Sequence, residues 1–532
     1  MKTKYILLSA ASLFALSTAC TDMDLSPAGD TVTSDTKEEI LASQPEKAQA
    51  SVNAVLTSFS TYMLTWPSAS RHNDIGYPAL MWFMDANGYD YVSDDNGYNW
   101  AGNSLTFEDR AYTSYESGIV WYTLYRQIYA ANNVVATIGM EPEDDELKYY
   151  LAQALAVRAF DYWVLAQLYQ FNYADHADLP CVPIITDATA EEAALNGAAR
   201  NSVEEVYAQI LSDLNLAIEC LESSSKSRST NNYISREVAY GLRARVNLTM
   251  ENWAAAASDA VEAQAYGAPA SFADVSVPTF NDLSDFMWGI SVAETDAVVT
   301  SGICNWPSHT GSLNWGYCQY SGGTQISKAL FDAIPATDAR KGWWIDEDYF
   351  SPNLTDEQLY YMGPNYVGYS PYTHVKFAPY NDELDTSTNA NPIPLMRVEE
   401  MYLIEAEALA MSGNTGAAKA ALESFVQTYR DASYTCSAVS AEEIQEAVYF
   451  QRRIEFWGEG LSWFDIMRLN TGVDRRGAMY PQITSVLNIE AGSDILLWRI
   501  PEGEITANKL ISESDNNPDA DRPASVPDYS YE

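Results

Sequence analysis

The chain has 532 residues, with 30 Lys plus Arg against 73 Asp plus Glu and a formal charge of −43. Such a surface repels phosphate backbones and anionic headgroups, and no Lys/Arg cluster offsets it, so nucleic acid and electrostatic membrane adhesion are excluded. Hydrophobic residues make up 47%, enough to fill a large core, and no later apolar run is long enough to span a bilayer.

The N-terminus sets the address. Lys2 and Lys4 precede the apolar run Ile6 to Leu16, followed by Ser17, Thr18, Ala19 and Cys20. This order of charged, apolar and small residues reads as a secretory signal peptide over 1–19. The cysteine at the cleavage point resembles a bacterial lipobox, with Ser17 where Leu is usual, so Cys20 is the expected lipidation site. Residues 20–36 are polar and acidic and read as a flexible tether, spanning roughly 20 Å as a coil. The membrane would then be touched only through the N-terminal lipid.

Helical patterns follow. Residues 119–138 and 147–169 carry apolar spacing near 3.6. Ser202 with Glu205 makes a capping box before VYAQILSDLNLAIECL, and Ser235 is an N-cap for REVAYGLRARVNLTM. After Glu251-Asn252-Trp253 a second helix, AAAASDAVEAQAYG, completes a helix–turn–helix with small alanines at the contact. That pair resembles a tetratricopeptide unit. MRVEEMYLIEAEALAMSG with NTGAAKAALESFVQTYR is a second such pair. Ser440 with Glu443 is another capping box, predicted to open a helix carrying Ile444 through Arg468. The blocks 66–110 and 270–395 are rich in Gly, Pro, Asn, Asp, Trp and Tyr, with short predicted strands in FMWGISVAE and AVVTSGI. The fold class is mostly α: a tetratricopeptide-like scaffold, with repeats mainly at 115–270 and 395–470, and a loop-rich, strand-poor lobe mainly at 66–110 and 270–395. Of the six cysteines, Cys304 and Cys318 are close enough to bridge a loop, and buried free thiols fit equally well.

Several segments together resemble one family. QRRIEFWGEGLSWFDIMR (451–468), PLMRVEEMYLIEAEALA (394–410), and WRIPEGEITANKLI (498–511) with Asn517-Pro518 resemble the signatures of SusD/RagB lipoproteins, in the family's order. Gln451 and Ser462 depart from its usual residues. Residues 37–532 would form a single SusD-like domain. Within 451–468, Ile454, Trp457, Leu461 and Phe464 form an apolar stripe, and Arg452, Arg453, Glu455, Glu459, Asp465 and Arg468 are expected to pair with one another structurally. The resemblance implies a protein on the outer face of the outer membrane that binds a glycan without chemistry and caps a SusC-like TonB-dependent transporter. Asp22 and Asp24 resemble the acidic export signal of some such lipoproteins. A secreted glycosidase would need two carboxylates facing each other in a cleft, and none of the 73 stands out. A protein-binding helical lid without glycan affinity is the third reading.

Sugars present apolar faces and polar rims, which Trp and Tyr suit by joining apolar area to a polar handle. Trp and Tyr total 50, and residues 62–129 hold 14 of them, more than twice an even share. Trp121, Tyr122, Tyr125 and Tyr129 lie at helical spacing and read as packing. Trp343 and Trp344 follow a turn, Asp338-Ala339-Arg340, that resembles a structural one of the family. The glycan-binding candidates are Trp66, His72, Asp74, Tyr77, Trp82, Asp85, Tyr89, Tyr98, Asn99 and Trp100, with Trp306, Trp315, Tyr317 and Tyr320 in the second irregular block. No cofactor is expected. The loop Asp90 to Gly97 gathers oxygens of the kind calcium takes, but it lacks EF-hand spacing and reads first as a solvated loop.

Overall fold

The computed structural model describes residues 44–62, 72–302 and 304–528. The expected signal peptide, Cys20, the expected tether and Trp66 lie outside these residues. Pro45–Lys47 is a lone 3₁₀ turn. From Ala48 on, the described residues form one unit.

Helices dominate that unit. In chain order the main ones are α1 (Ala48–Thr57), α2 (Tyr77–Asn87), α3 (Tyr115–Ile138), α4 (Asp145–Tyr169), α5 (Val203–Ser223), α6 (Arg236–Thr249) and α7 (Trp253–Gln264). The single turns α8 (Trp306–Thr310) and α9 (Tyr317–Tyr320) follow, then α10 (Val398–Met411), α11 (Thr415–Tyr429), α12 (Ala441–Glu455) and α13 (Ser462–Arg468). The starts follow from local chemistry. Ser114 Oγ accepts from the Ser117 amide to open α3, and Asp144 caps α4. The capping boxes Ser202/Glu205 and Ser440/Glu443 both form, and Ser235 caps α6. Each side-chain cap satisfies an amide that would otherwise lack an acceptor.

The helices stack in sequence: α3 on α4, α4 on α5, α5 on α6, α6 on α7. The row then crosses the loop-rich lobe, because α7 packs on α10, which packs on α11 and α12. Ala256, Ala260 and Ala263 of α7 are fully buried, and small side chains there let the helix axes approach closely. Helix α4 lies in the middle and is buried on every face from Tyr149 to Tyr169. Among the described residues, no helix is long and apolar enough to cross a membrane.

The six strands among the described residues form three antiparallel pairs. They are β1 (Tyr91–Ser93) with β3 (Thr324–Ile326), β2 (Trp288–Ile290) with β4 (Ile393–Met396), and β5 (Val473–Asp474) with β6 (Asn488–Ile489). The strand expected in FMWGISVAE is therefore present, whereas AVVTSGI contains a helical turn, Ala297–Thr300.

The signature 451–468 departs from the expected continuous helix. Helix α12 stops at Glu455, and Gly458 and Gly460 take φ of 74° and 71°, turning the chain before α13. A Cβ on Gly460 would lie 2.6 Å from Met81 Cβ, so glycine is required for this close approach. The charged residues of the stretch also find most of their partners elsewhere. Glu455 is fully buried and accepts from Arg340, Arg397 and Arg430. Glu459 holds Arg397 and Lys376, Arg453 holds Asp90, and Arg468 holds Glu407. Only Asp465 pairs within the stretch, with Arg452 and Arg468. Burial alone would raise the Glu455 carboxyl; the guanidinium groups around it hold it well below the usual carboxylate range instead. The ions thus tie the last helices to residues 25 to 363 positions away in the chain.

Candidate functional site

A two-stranded ladder brings the two aromatic loops together. Tyr91 pairs with Ile326 and Ser93 with Thr324, so the loop after β1 lies beside the loop before β3. Asn99 shapes the first loop: its Nδ2 donates to Ser93 Oγ (2.9 Å) and the Asp94 carbonyl (3.0 Å), and its Oδ1 accepts from the Ala101 amide (2.9 Å). Asn96 Nδ2 then donates across to the Tyr320 carbonyl at 2.8 Å.

Six of the sequence candidates share the resulting face: His72, Tyr98, Trp100, Trp315, Tyr317 and Tyr320. Tyr98, Trp315 and Tyr320 are 48%, 36% and 49% exposed. Their rings adjoin, with Tyr98 and Tyr320 centroids 5.4 Å apart and Trp315 and Tyr320 6.5 Å apart. Beside them, half-buried Trp100 stacks on His72 at 3.8 Å and meets Tyr317 edge-on at 5.0 Å. Beneath lies a column: Tyr317 stacks on buried His309 (5.2 Å), and His309 stacks on buried Trp82 (4.9 Å). His309 Nε2 is 3.3 Å from His72 Nδ1. Burial, reinforced by His72, holds the His309 pKa well below its ordinary value, so this layer is an uncharged imidazole.

The other candidates are not on this face. Trp82, Tyr77 and Trp306 are buried. Tyr77 packs edge-on against Phe59 and Phe160, and Trp306 against Phe377. Asp74 and Asn99 are buried too; Asn99 spends its amide on the loop. Asp85 is buried on α2 and accepts from the Gly460 amide (3.0 Å) and Ser462 Oγ (3.1 Å), and burial pushes its carboxyl up to about 7. Tyr89 is bonded to the Tyr449 hydroxyl under the Arg453 guanidinium. Glu116, also pushed up to about 7 by burial, accepts from Asn73 and Asn103. These two near-neutral carboxyls therefore face the protein's own donors. In the Asp90–Gly97 loop Asp90 is paired with Arg453, and Asp94 Oδ1 accepts from Gln482. Among the described residues no three His, Cys, Asp or Glu converge for a metal. Cys304 and Cys318 are both buried thiols and are not bridged to each other.

One edge of the face went unpredicted. Tyr361 donates to Asp385 Oδ1 at 2.9 Å, Gln319 Nε2 donates to the same oxygen at 3.3 Å, and exposed Tyr366 donates to Oδ2 at 3.3 Å. The Trp315 amide donates to the Thr386 carbonyl (2.9 Å), and Asn389 Nδ2 to the Trp315 carbonyl (3.1 Å), which fixes this edge beside the indole. The run YYMGPNYVGYSPY (360–372) carries the same Tyr, Gly and Pro signal as the chosen loops and could have been included. The assembled face is an open aromatic platform with a polar rim, suited to packing on a sugar's apolar side while hydroxyls and amides bond its edge.

Comparison with known proteins decides the family. A family model described as "Starch-binding associating with outer membrane" matches residues 39–248, and the SusD family model matches 343–518. The chain belongs to the SusD/RagB family. It is 25% identical over 429 residues to SusD-like protein P2 of Formosa agariphila, covering 75% of this chain and 79% of that one. The fold matches a SusD-like carbohydrate binding protein from Bacteroides vulgatus with a TM-score of 0.72 at 24% identity, covering 88% and 97% of the two chains. It also matches a laminarin binding SusD-like protein with a TM-score of 0.60 at 18% identity, covering 89% and 99%.

Proposed function

We propose that this protein is a non-catalytic, cell-surface lipoprotein that binds an oligosaccharide or polysaccharide on the Tyr98–Trp100–Trp315–Tyr317–Tyr320 platform. It is anchored through Cys20 and delivers its ligand to a SusC-like TonB-dependent transporter that it caps. The observation that carries the reading is the convergence of six Trp, Tyr and His rings from two distant loops on one accessible face. Aromatic side chains left this exposed side by side are unusual unless they meet something. Family membership and the laminarin binding relative support the glycan as the ligand class.

The test is calorimetry of the soluble domain against a polysaccharide panel, with Trp315→Ala and Tyr98→Ala as probes. Binding that both substitutions weaken supports the platform. Binding that neither changes refutes it. Release of new reducing ends from the bound glycan would point to a glycosidase. A silent panel together with retained transporter pull-down from outer membrane would point to a protein-binding lid. Cys20→Ala should release the protein from the membrane fraction while leaving glycan affinity intact.

A further inference from the structure

From the charges around the platform we infer that its ligand is an uncharged glycan, and that uronate-bearing or sulfated chains are rejected. The inference rests on the platform reading above. Proteins that hold carboxylate or sulfate groups do so with guanidinium or ammonium donors, which match such anions in charge and geometry. Among the described residues, the surface of the platform lacks them. Its three segments are 72–103, 304–327 and 355–391. Among their described residues the one Lys or Arg is Lys376. Lys376 is fully buried, and its Nζ is used by Glu459 Oε1 (2.5 Å) and the carbonyls of Glu455 and Trp457 (2.9 Å each). Cations on neighbouring segments already hold carboxylates: Arg453 holds Asp90, Lys328 holds Asp332, and Arg522 holds Glu108.

The rim, by contrast, carries a carboxylate, Asp385. Of the five Asp in residues 72–103, Asp74, Asp85 and Asp90 are buried and Asp94 and Asp95 are not; residues 304–327 hold no Asp, Glu, Lys or Arg, and residues 355–391 hold five Asp or Glu against Lys376. Asp95 and the rim carboxylate Asp385 are at least partly exposed. Asp385 keeps lone pairs beyond those its three donors use, so it can accept from sugar hydroxyls, which a neutral glycan offers in number. A carboxylate or sulfate placed there meets repulsion from Asp385, from the 94–95 pair and from the chain's overall charge, strongest at low salt.

The test uses the tightest neutral glycan of the panel and its own carboxymethylated or sulfated derivative, measured by calorimetry at low and physiological salt. The derivative should bind at least about tenfold more weakly at low salt, with the gap narrowing as salt rises. An Asp95→Asn/Asp385→Asn double variant should narrow the low-salt gap; an unchanged gap overturns the inference. An anionic glycan bound as tightly as the neutral one, and released by Trp315→Ala, overturns charge selection while leaving the platform in place. Binding indifferent to Trp315→Ala and Tyr98→Ala overturns both.

Discussion

Glu455→Gln should cost the protein about 3–5 kcal/mol of folding stability, the range for removing one partner of a buried ion pair. Four donor contacts converge on this carboxylate: Arg430 Nη2 and Arg397 Nη1 on Oε1 at 2.8 and 2.9 Å, and Arg430 Nε and Arg340 Nη1 on Oε2 at 2.8 and 3.1 Å. Glutamine preserves the shape, but whichever way its amide turns, an NH₂ faces two guanidinium N–H groups. Two buried donors lose their acceptor, and three buried arginines lose a shared negative charge. Glu455 is held ionised well below its usual range, so the penalty should be constant across neutral and mildly acidic pH. Urea unfolding of wild type and variant, followed by circular dichroism, reads the difference. A total stability of the order of 5–15 kcal/mol makes the loss easy to see. A loss under about 1 kcal/mol would refute the reasoning, because it would mean the guanidinium groups are solvated or re-paired. Unchanged glycan affinity in the folded fraction would agree with a purely structural role for 451–468.

Trp315→Ala should weaken glycan binding about tenfold, near 1.4 kcal/mol, with little effect on melting, whereas buried Trp306→Ala should cost about 3–5 kcal/mol of stability by leaving a cavity. Calorimetry and thermal melts on both variants separate the two roles. Burial holds the His374 pKa at about 4, against the 6.5 of an exposed histidine, with Nε2 on the Thr310 carbonyl and Lys376 nearby. The unfolded chain therefore takes up this proton first as pH falls, and stability drops between about 6.5 and 4, by up to about 3 kcal/mol from this residue. Asp85 and Glu116, raised to about 7, act in the opposite sense, so the effect is read as the pH-dependent difference between wild type and His374→Gln; a flat difference refutes it. Gly460→Ala should destabilise by about 1–3 kcal/mol, since φ is 71° and a Cβ would meet Met81. An unchanged urea midpoint would show that the turn relaxes without cost.

Much of the scaffold was legible because its rules are local. Ser202 with Glu205 and Ser440 with Glu443 stand three residues apart, and the hydrogen bonds that open each helix involve only those residues. The end of α12 was not legible in the same way. The stripe Ile454, Trp457, Leu461 and Phe464 keeps helical spacing straight through the turn. What ends the helix is the need for Gly460 to touch Met81 on α2, a contact 379 residues back along the chain. The ion partners of Glu455 were hidden for the same reason: Arg340 and Arg397 lie in other segments, and pattern within 451–468 offers nearer but wrong partners.

The platform shows the same limit at finer grain. Trp82 and Trp100 sit in one Trp-, Tyr- and Asp-rich stretch, and composition treats them alike. Secondary structure separates them: Pro78 follows Tyr77 at the first turn of α2, and the run ALMWFM is then a helix with every face covered, while Trp100 follows a loop closed by Asn99. A proline followed by six apolar residues is a readable signal of a buried helix, and it argues against ligand contact for Tyr77 and Trp82. Yet Trp82 is not irrelevant to the face. It forms the bottom of the stack that runs through His309 to Tyr317, so the core sets the height and tilt of a ring at the surface. Platform geometry therefore depends on residues that never touch a ligand, Trp82 of α2 and His309 of α8, which only the β1–β3 ladder and the packed scaffold bring beneath Tyr317 of α9. Loop composition can nominate aromatic side chains for a binding face; which ones reach it is settled by long-range packing.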